Sequence, residues 1–139
     1  MKKLLLALFV CLSILPIPST FAFNPTVPSV AAWLPSWDFD KGKKTIETYP
    51  ALFSEISPFW YYLNDDGSIG VSTGGENADF VTELHQLGIR VIPSITNSFS
   101  DDRATAVMAD PNKRTDFVKK ISSLVTKQNY DGIDIDLKG

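Results

Sequence analysis

The segment Tyr130-Asp131-Gly132-Ile133-Asp134-Ile135-Asp136-Leu137-Lys138 alternates charge with aliphatic bulk. Successive side chains of an extended strand point to opposite faces, so Asp134, Asp136 and Lys138 share one face and Ile133, Ile135 and Leu137 the other. At about 3.3 Å per residue, Lys138 stands roughly 13 Å along from Asp134. Two neighbouring carboxylates are costly to bury unless they share a proton or bind a cation. Such a face therefore suits acid–base work or cation binding, and Lys138 is placed to pair with either aspartate. An edge strand with a solvated polar face accounts for the alternation equally well.

Three further apolar runs precede this strand. Val30 to Leu34 is a short buried strand ended by Pro35-Ser36, and Ile56 to Leu63 is an aromatic-rich one closed by the turn Asn64-Asp65-Asp66-Gly67. Ile89 to Ile95 is the third. Between them, Asp38 or Asp40 is expected to cap a helix around Ile46 to Phe53. Asn77 opens a second helix with Phe80, Val81, Leu84 and Leu87 on one face and Gly88 as its stop. Asp110-Pro111, a cap followed by proline at the first helical position, opens a third with Phe117, Ile121, Leu124 and Val125 as its stripe. Asp101-Asp102-Arg103 begins a short helix. Four strands alternating with three helices predict an α/β fold of parallel βα units. Closed barrels and open doubly wound sheets both fit that order. A complete (β/α)8 barrel needs about 250 residues, so a barrel would be represented by four of its strands, with open edges on the first and fourth.

The chain has 139 residues, 44% hydrophobic and 21% charged, a globular composition of net charge -3. Lys2 and Lys3, the apolar run Leu4 to Leu12 and the small-residue stretch ending at Ala22 are expected to form a signal peptide over residues 1–22. Pro16 and Pro18 interrupt the run too early for a spanning helix, and Phe9-Val10 before Cys11 do not fit a lipoprotein signal. A proline-rich linker occupies 23–29 and the folded domain 30–139. The product is expected to be secreted or periplasmic, with no membrane attachment after cleavage. The mature body is mildly acidic and has no basic run, which argues against a nucleic-acid partner. The single cysteine, Cys11, lies in the leader, and His85 is the single histidine. Disulfides, thiolate sites and a histidine-based zinc site are therefore not expected, and no cofactor or metal is implied. Asp65-Asp66-Gly67 is turn chemistry rather than a calcium loop.

Asp131-Gly132-Ile133-Asp134-Ile135-Asp136-Leu137 resembles the DxxDxDxE fourth-strand signature of glycoside hydrolase family 18, the chitinase-like barrels. Ala32-Trp33-Leu34-Pro35-Ser36-Trp37-Asp38 resembles the family's first strand, and Ser57-Pro58-Phe59-Trp60-Tyr61-Tyr62 with Asp66-Gly67-Ser68-Ile69 its second strand and turn. Val91-Ile92-Pro93-Ser94-Ile95-Thr96-Asn97 resembles the third strand of the bacterial cell-wall glucosaminidase-like branch. The resemblance implies the N-terminal half of a (β/α)8 TIM barrel. It also implies hydrolysis of polysaccharides containing N-acetylglucosamine, chitin or peptidoglycan, by substrate-assisted retention. Carried over by position, Asp136 orients the substrate's acetamido group, Asp134 is its partner, and Asp131 and Gly132 are structural members at the strand's start. The family's acid belongs at position 138, where this chain has Lys138. A fixed cation beside an oxocarbenium-like transition state destabilises it, by about 4 kcal/mol at 4 Å and an effective dielectric near 20. Losing the general acid removes a further factor of about 10² to 10⁴. The family's later strands supply a tyrosine and a tryptophan floor that lie beyond Gly139, so the chain alone is expected to be catalytically impaired.

Among the aromatic residues, Trp37, Trp60 and Tyr61 are the candidate sugar-contacting rings, with Asn97 as a polar partner at the end of the third strand, while Trp33 and Phe59 read as core. His85 reads as a boundary residue. Three alternatives stand beside the hydrolase-like reading: a non-catalytic carbohydrate-binding pseudoenzyme, an open α/β sheet with a magnesium pocket at Asp134 and Asp136, and a gene damaged near its last codons.

Overall fold

The computed structural model describes residues 29–138. The leader and all of the linker but Ser29 lie outside the described residues, as does Gly139. None of the described helices is long and apolar enough to cross a membrane.

The chain opens with β1 (Val30–Leu34), followed by a 3-10 turn at Ser36–Asp38 and α1 (Phe39–Thr48). This helix starts and stops earlier than its sequence suggests. Asp38 occupies the position before it but makes no capping bond, and Tyr49-Pro50 ends it. Proline disfavours helical backbone in the residue before it, so Phe53 is free to begin β2 (Phe53–Leu63). The turn after β2 is held by the Asn64 amide donating to the Ser68 carbonyl and by Asp66 accepting from the Ser68 amide and hydroxyl. Gly67 supplies its positive φ of 79°. It returns the chain into β3 (Ile69–Val71), antiparallel to β2, a strand too short and too glycine-broken to register as apolar alternation.

α2 (Ala78–Gln86) begins as expected: Asn77 accepts from the Phe80 amide, and Gly88 at φ 73° closes it. Phe80, Val81 and Leu84 are buried, but Leu87 is 43% exposed because it lies past the last turn. The third strand is divided into β4 (Arg90–Val91) and β5 (Ser94–Thr96) around Pro93, which has no amide proton for a ladder bond. Two helices fill the next connection, the short one expected at Asp101-Asp102-Arg103 and the longer one opened by Asp110-Pro111: α3 (Asp101–Met108) and α4 (Pro111–Gln128). Asp110 caps α4 by accepting from the Asn112 and Lys113 amides, and Asn129 in the left-handed region ends it. The fourth strand is β6 (Asp134–Asp136).

All pairings along the sheet path are parallel, in the order β1-β2-β5-β6, with β4 extending the third position. The strands curl with the helices outside, as one half of a (β/α)8 barrel. Ile56, Val91 and Ile95 from the sheet meet Phe80, Leu84, Phe117 and Ile121 from the helices to form the core. The outward face of β6 departs from expectation. Ile133 and Leu137 pack against the core, whereas Ile135 is 53% exposed because no described helix covers it.

Candidate functional site

The curl is visible in one hydrogen bond. Trp33 on β1 donates from its indole nitrogen to Asp134 on β6 at 3.1 Å, joining the two outermost strands across the concave face. Four strands about 4.8 Å apart in a flat sheet would hold these strands too far apart for that bond. The same Asp134 oxygen accepts from Ser94 at 2.8 Å, the residue that register places directly beside it. Both acceptances hold the carboxylate in one orientation.

Asp136 stands one repeat further along the same face, beside Thr96. Its carboxylate lies 3.6 Å from the Lys138 ammonium, which sits 5.0 Å from the centre of the Phe99 ring. Trp33 and Trp37 pack edge-on against Phe59, with ring centres 6.0 and 5.9 Å apart. Together Trp33, Trp37, Phe59, Phe99, Asp136 and Lys138 line a cleft of about 470 Å³ at the carboxyl ends of the parallel strands. In barrels of this kind the strand ends carry the site, because the loops that follow them are free to vary. Trp37 and Phe99 are 79% and 82% exposed, a costly placement for large rings unless a ligand covers them.

The structure brings Asp134, Asp136, Lys138 and Trp37 to this concave side and sends two other candidates elsewhere. Trp60 and Tyr61 are 1% and 2% exposed and belong to the packed layer between sheet and helices. Trp60 lies against Phe80 and Tyr130, and the Tyr61 hydroxyl meets the Tyr130 hydroxyl at 2.8 Å and donates to the Glu76 carboxylate at 3.2 Å. The cause is a bulge. The β2–β5 register jumps from Phe59↔Ser94 to Tyr61↔Ile95, so Trp60 is the unpaired residue and Tyr61 turns outward instead of following Phe59 inward. Burial, reinforced by the bond to Tyr130, pushes the Tyr61 phenol far up, and burial raises Tyr130 against the opposing effect of the Tyr61 bond. The pair is neutral.

Trp33 and Phe59, which read as core, are instead cleft residues, and Phe99 carried no expectation at all. Its signal is a single aromatic among polar residues directly after the third strand. Asn97 is 1% exposed and spends its amide on backbone: it donates to the carbonyls of Ser100 and Lys138 and accepts from the Lys138 amide. It fixes the two loops that carry Phe99 and Lys138 rather than offering a free polar group to the cleft.

Asp131 lies at the opposite end of the fourth strand. Its carboxylate accepts from the Val91 amide at 2.8 Å and contacts His85 at 2.8 Å, tying α2, β4 and the start of the motif together. Burial pushes this carboxyl up, but the Val91 amide and His85 outweigh it and hold the group below the usual carboxylate range. A β-carbon at Gly132 would meet Ile92 at ordinary contact distance, so packing does not require glycine there. Among the described residues no three acidic or histidine side chains gather to hold a metal. Asp134 is engaged by Trp33 and Ser94, and Asp136 faces Lys138.

No protein-family profile matches the sequence. Over 104 residues, 72% of this chain and 24% of the relative, it is 30% identical to a chitinase-like effector of Moniliophthora perniciosa. The fold superposes on a chitinase from Bacteroides thetaiotaomicron with a TM-score of 0.67 at 20% identity, covering 81% of this chain and 36% of that one. The Bacillus cereus spore cortex-lytic enzyme SleL gives the same TM-score at 19% identity, over 81% of this chain and 28% of its own. The fold is that of a (β/α)8 half-barrel, as in the matched parts of these two structures. The chain spans about a quarter of the length of the curated relatives it matches. Within this half-barrel, the parallel sheet curls instead of opening into a doubly wound layer, so a crevice at a strand-order reversal does not arise.

Proposed function

We propose that the chain binds N-acetylglucosamine-containing polysaccharide in the cleft at the carboxyl ends of its strands, and that it lacks a working acid. The observation that carries this reading is the pair of exposed rings, Trp37 and Phe99, both lining a cleft that also holds Asp136. Flat aromatic faces match the apolar faces of pyranose rings, and the polar edge groups of a sugar need fixed partners beside them. Asp136 is the group to orient an acetamido substituent, and Asp134, locked by Trp33 and Ser94, supports it with a fixed negative charge. The chitinase structure, the spore cortex-lytic enzyme structure and the chitinase-like relative support that substrate class.

Hydrolysis needs a proton donor for the leaving oxygen. Lys138 is the group at the motif's acid position, and it is a cation beside the Asp136 carboxylate. An ammonium there opposes the positive charge that develops on the sugar, so the reading is of binding without turnover. Export through the leader, with cleavage after Ala22, accompanies it; the mass of the exported product tests that step.

The decisive experiment is a sedimentation assay on insoluble chitin and on peptidoglycan, paired with a reducing-sugar assay. Retention without sugar release is expected, with retention lost in Trp37→Ala. Wild-type protein that stays in the supernatant with both polymers would refute the saccharide reading; release of reducing ends would refute the loss of catalysis.

A further inference from the structure

The cleft contains a charge that a neutral polymer has no use for. The Lys138 side chain is 54% exposed, and its nearest carboxylate, Asp136, is 3.6 Å away, beyond ordinary hydrogen-bond length. Its donors are therefore not spent on the protein. The other carboxylate of the strand, Asp134, is already engaged by Trp33 and Ser94. The position of the ammonium is nonetheless built. Asn97 clamps the Lys138 backbone from both its amide and its carbonyl. The Phe99 ring lies beneath the charge at 5.0 Å, in cation–π range.

Phe99 reaches that place at a cost. Ser98 and Phe99 are consecutive non-glycine residues in the left-handed region, with φ of 53° and 60°. The Ser98 amide donates to the Thr96 hydroxyl, and the Asn97 carbonyl accepts from Ser100, so the surrounding bonds hold the strained pair. Strain of this kind persists where the rest of the structure over-determines it, and it concentrates at ligand clamps. Here it coincides with a large ring left 82% exposed to solvent.

We infer that Lys138 and Phe99 form a composite subsite that selects carboxylate-bearing N-acetylglucosamine polymers over neutral ones. This rests on the saccharide reading above. The ring takes a sugar face, and the ammonium takes a carboxylate carried on that sugar, while Asp136 stays 3.6 Å from the charge. A half-exposed pair of this kind adds modestly to affinity and loses its effect in salt.

Calorimetric titration of the full chain with two N-acetylglucosamine oligomers of equal length, one neutral and one O-carboxymethylated, tests this at low and high ionic strength. The carboxymethylated oligomer is expected to bind about 5-fold tighter at low salt. That preference should vanish at high salt and in Lys138→Met, persist in Lys138→Arg, and shrink in Phe99→Ala. Equal affinity for the two oligomers, or an undiminished preference in Lys138→Met, overturns the inference while leaving the saccharide reading intact. Binding of neither oligomer overturns the saccharide reading itself.

Discussion

Replacing Asn97 by alanine tests whether this side chain is a ligand contact or the pin between two loops. Its amide makes three hydrogen bonds, two donated to the carbonyls of Ser100 and Lys138 and one accepted from the Lys138 amide, in a position 1% exposed. Each such bond contributes about 0.5–1.5 kcal/mol net, and backbone groups left buried without partners cost about 1–3 kcal/mol each. Water can reach Lys138, whose side chain is half exposed, so partial rescue brings the expected loss to about 2–4 kcal/mol. Total stabilities of small domains are about 5–15 kcal/mol, so the variant should remain folded but visibly weakened. Urea unfolding followed by tryptophan fluorescence measures it, with the midpoint lowered and the slope unchanged. Asn97→Asp is the companion: it keeps the acceptor for the Lys138 amide but presents carboxylate oxygens to two carbonyls, so it should lose at least as much. Saccharide affinity should fall in both variants because Phe99 and Lys138 lose their common anchor. A stability loss under about 0.5 kcal/mol with impaired binding would show that Asn97 meets the ligand directly, and the pin would be wrong.

Tyr61→Phe, which removes a buried hydroxyl facing Tyr130 and Glu76, should cost about 1 kcal/mol in urea unfolding and leave saccharide affinity unchanged, since the ring lies behind the sheet. Trp60→Ala should cost about 3–5 kcal/mol by emptying the space between Phe80 and Tyr130, measured by the same unfolding curve. The Asp131 carboxyl is held below its ordinary value of 3.8, so the unfolded chain binds its proton first as pH falls. Its contribution is therefore complete above about pH 4 and lost as pH drops through the depressed folded value. The stability gap between wild type and Asp131→Asn should be full at pH 6 and close toward pH 2; a gap that widens on acidification would contradict the assignment.

Local chemistry made much of this chain legible before any tertiary contact was considered. Asn77 and Asp110 announce helix starts because a short side-chain acceptor satisfies the first free amides wherever the following residues are helical. The alternation from Asp134 to Lys138 fixes which side chains share a face, since the period of two belongs to the strand itself. The order of elements follows from these signals, and with it the parallel sheet.

What pairing decides could not be read that way. Trp60 and Tyr61 look like cleft residues along the sequence, but the bulge that turns Tyr61 outward exists only because β5 pairs with β2 in a shifted register. Trp33 looks like a core residue in an apolar run, yet the curl of the sheet carries it to Asp134, 101 residues away in sequence, and leaves it 64% exposed. Residue types determine which local geometries are cheap, because capping, alternation and proline act over a few bonds. Which face of a curved sheet becomes a cleft depends on strand register and curvature, and those are set only when distant segments meet.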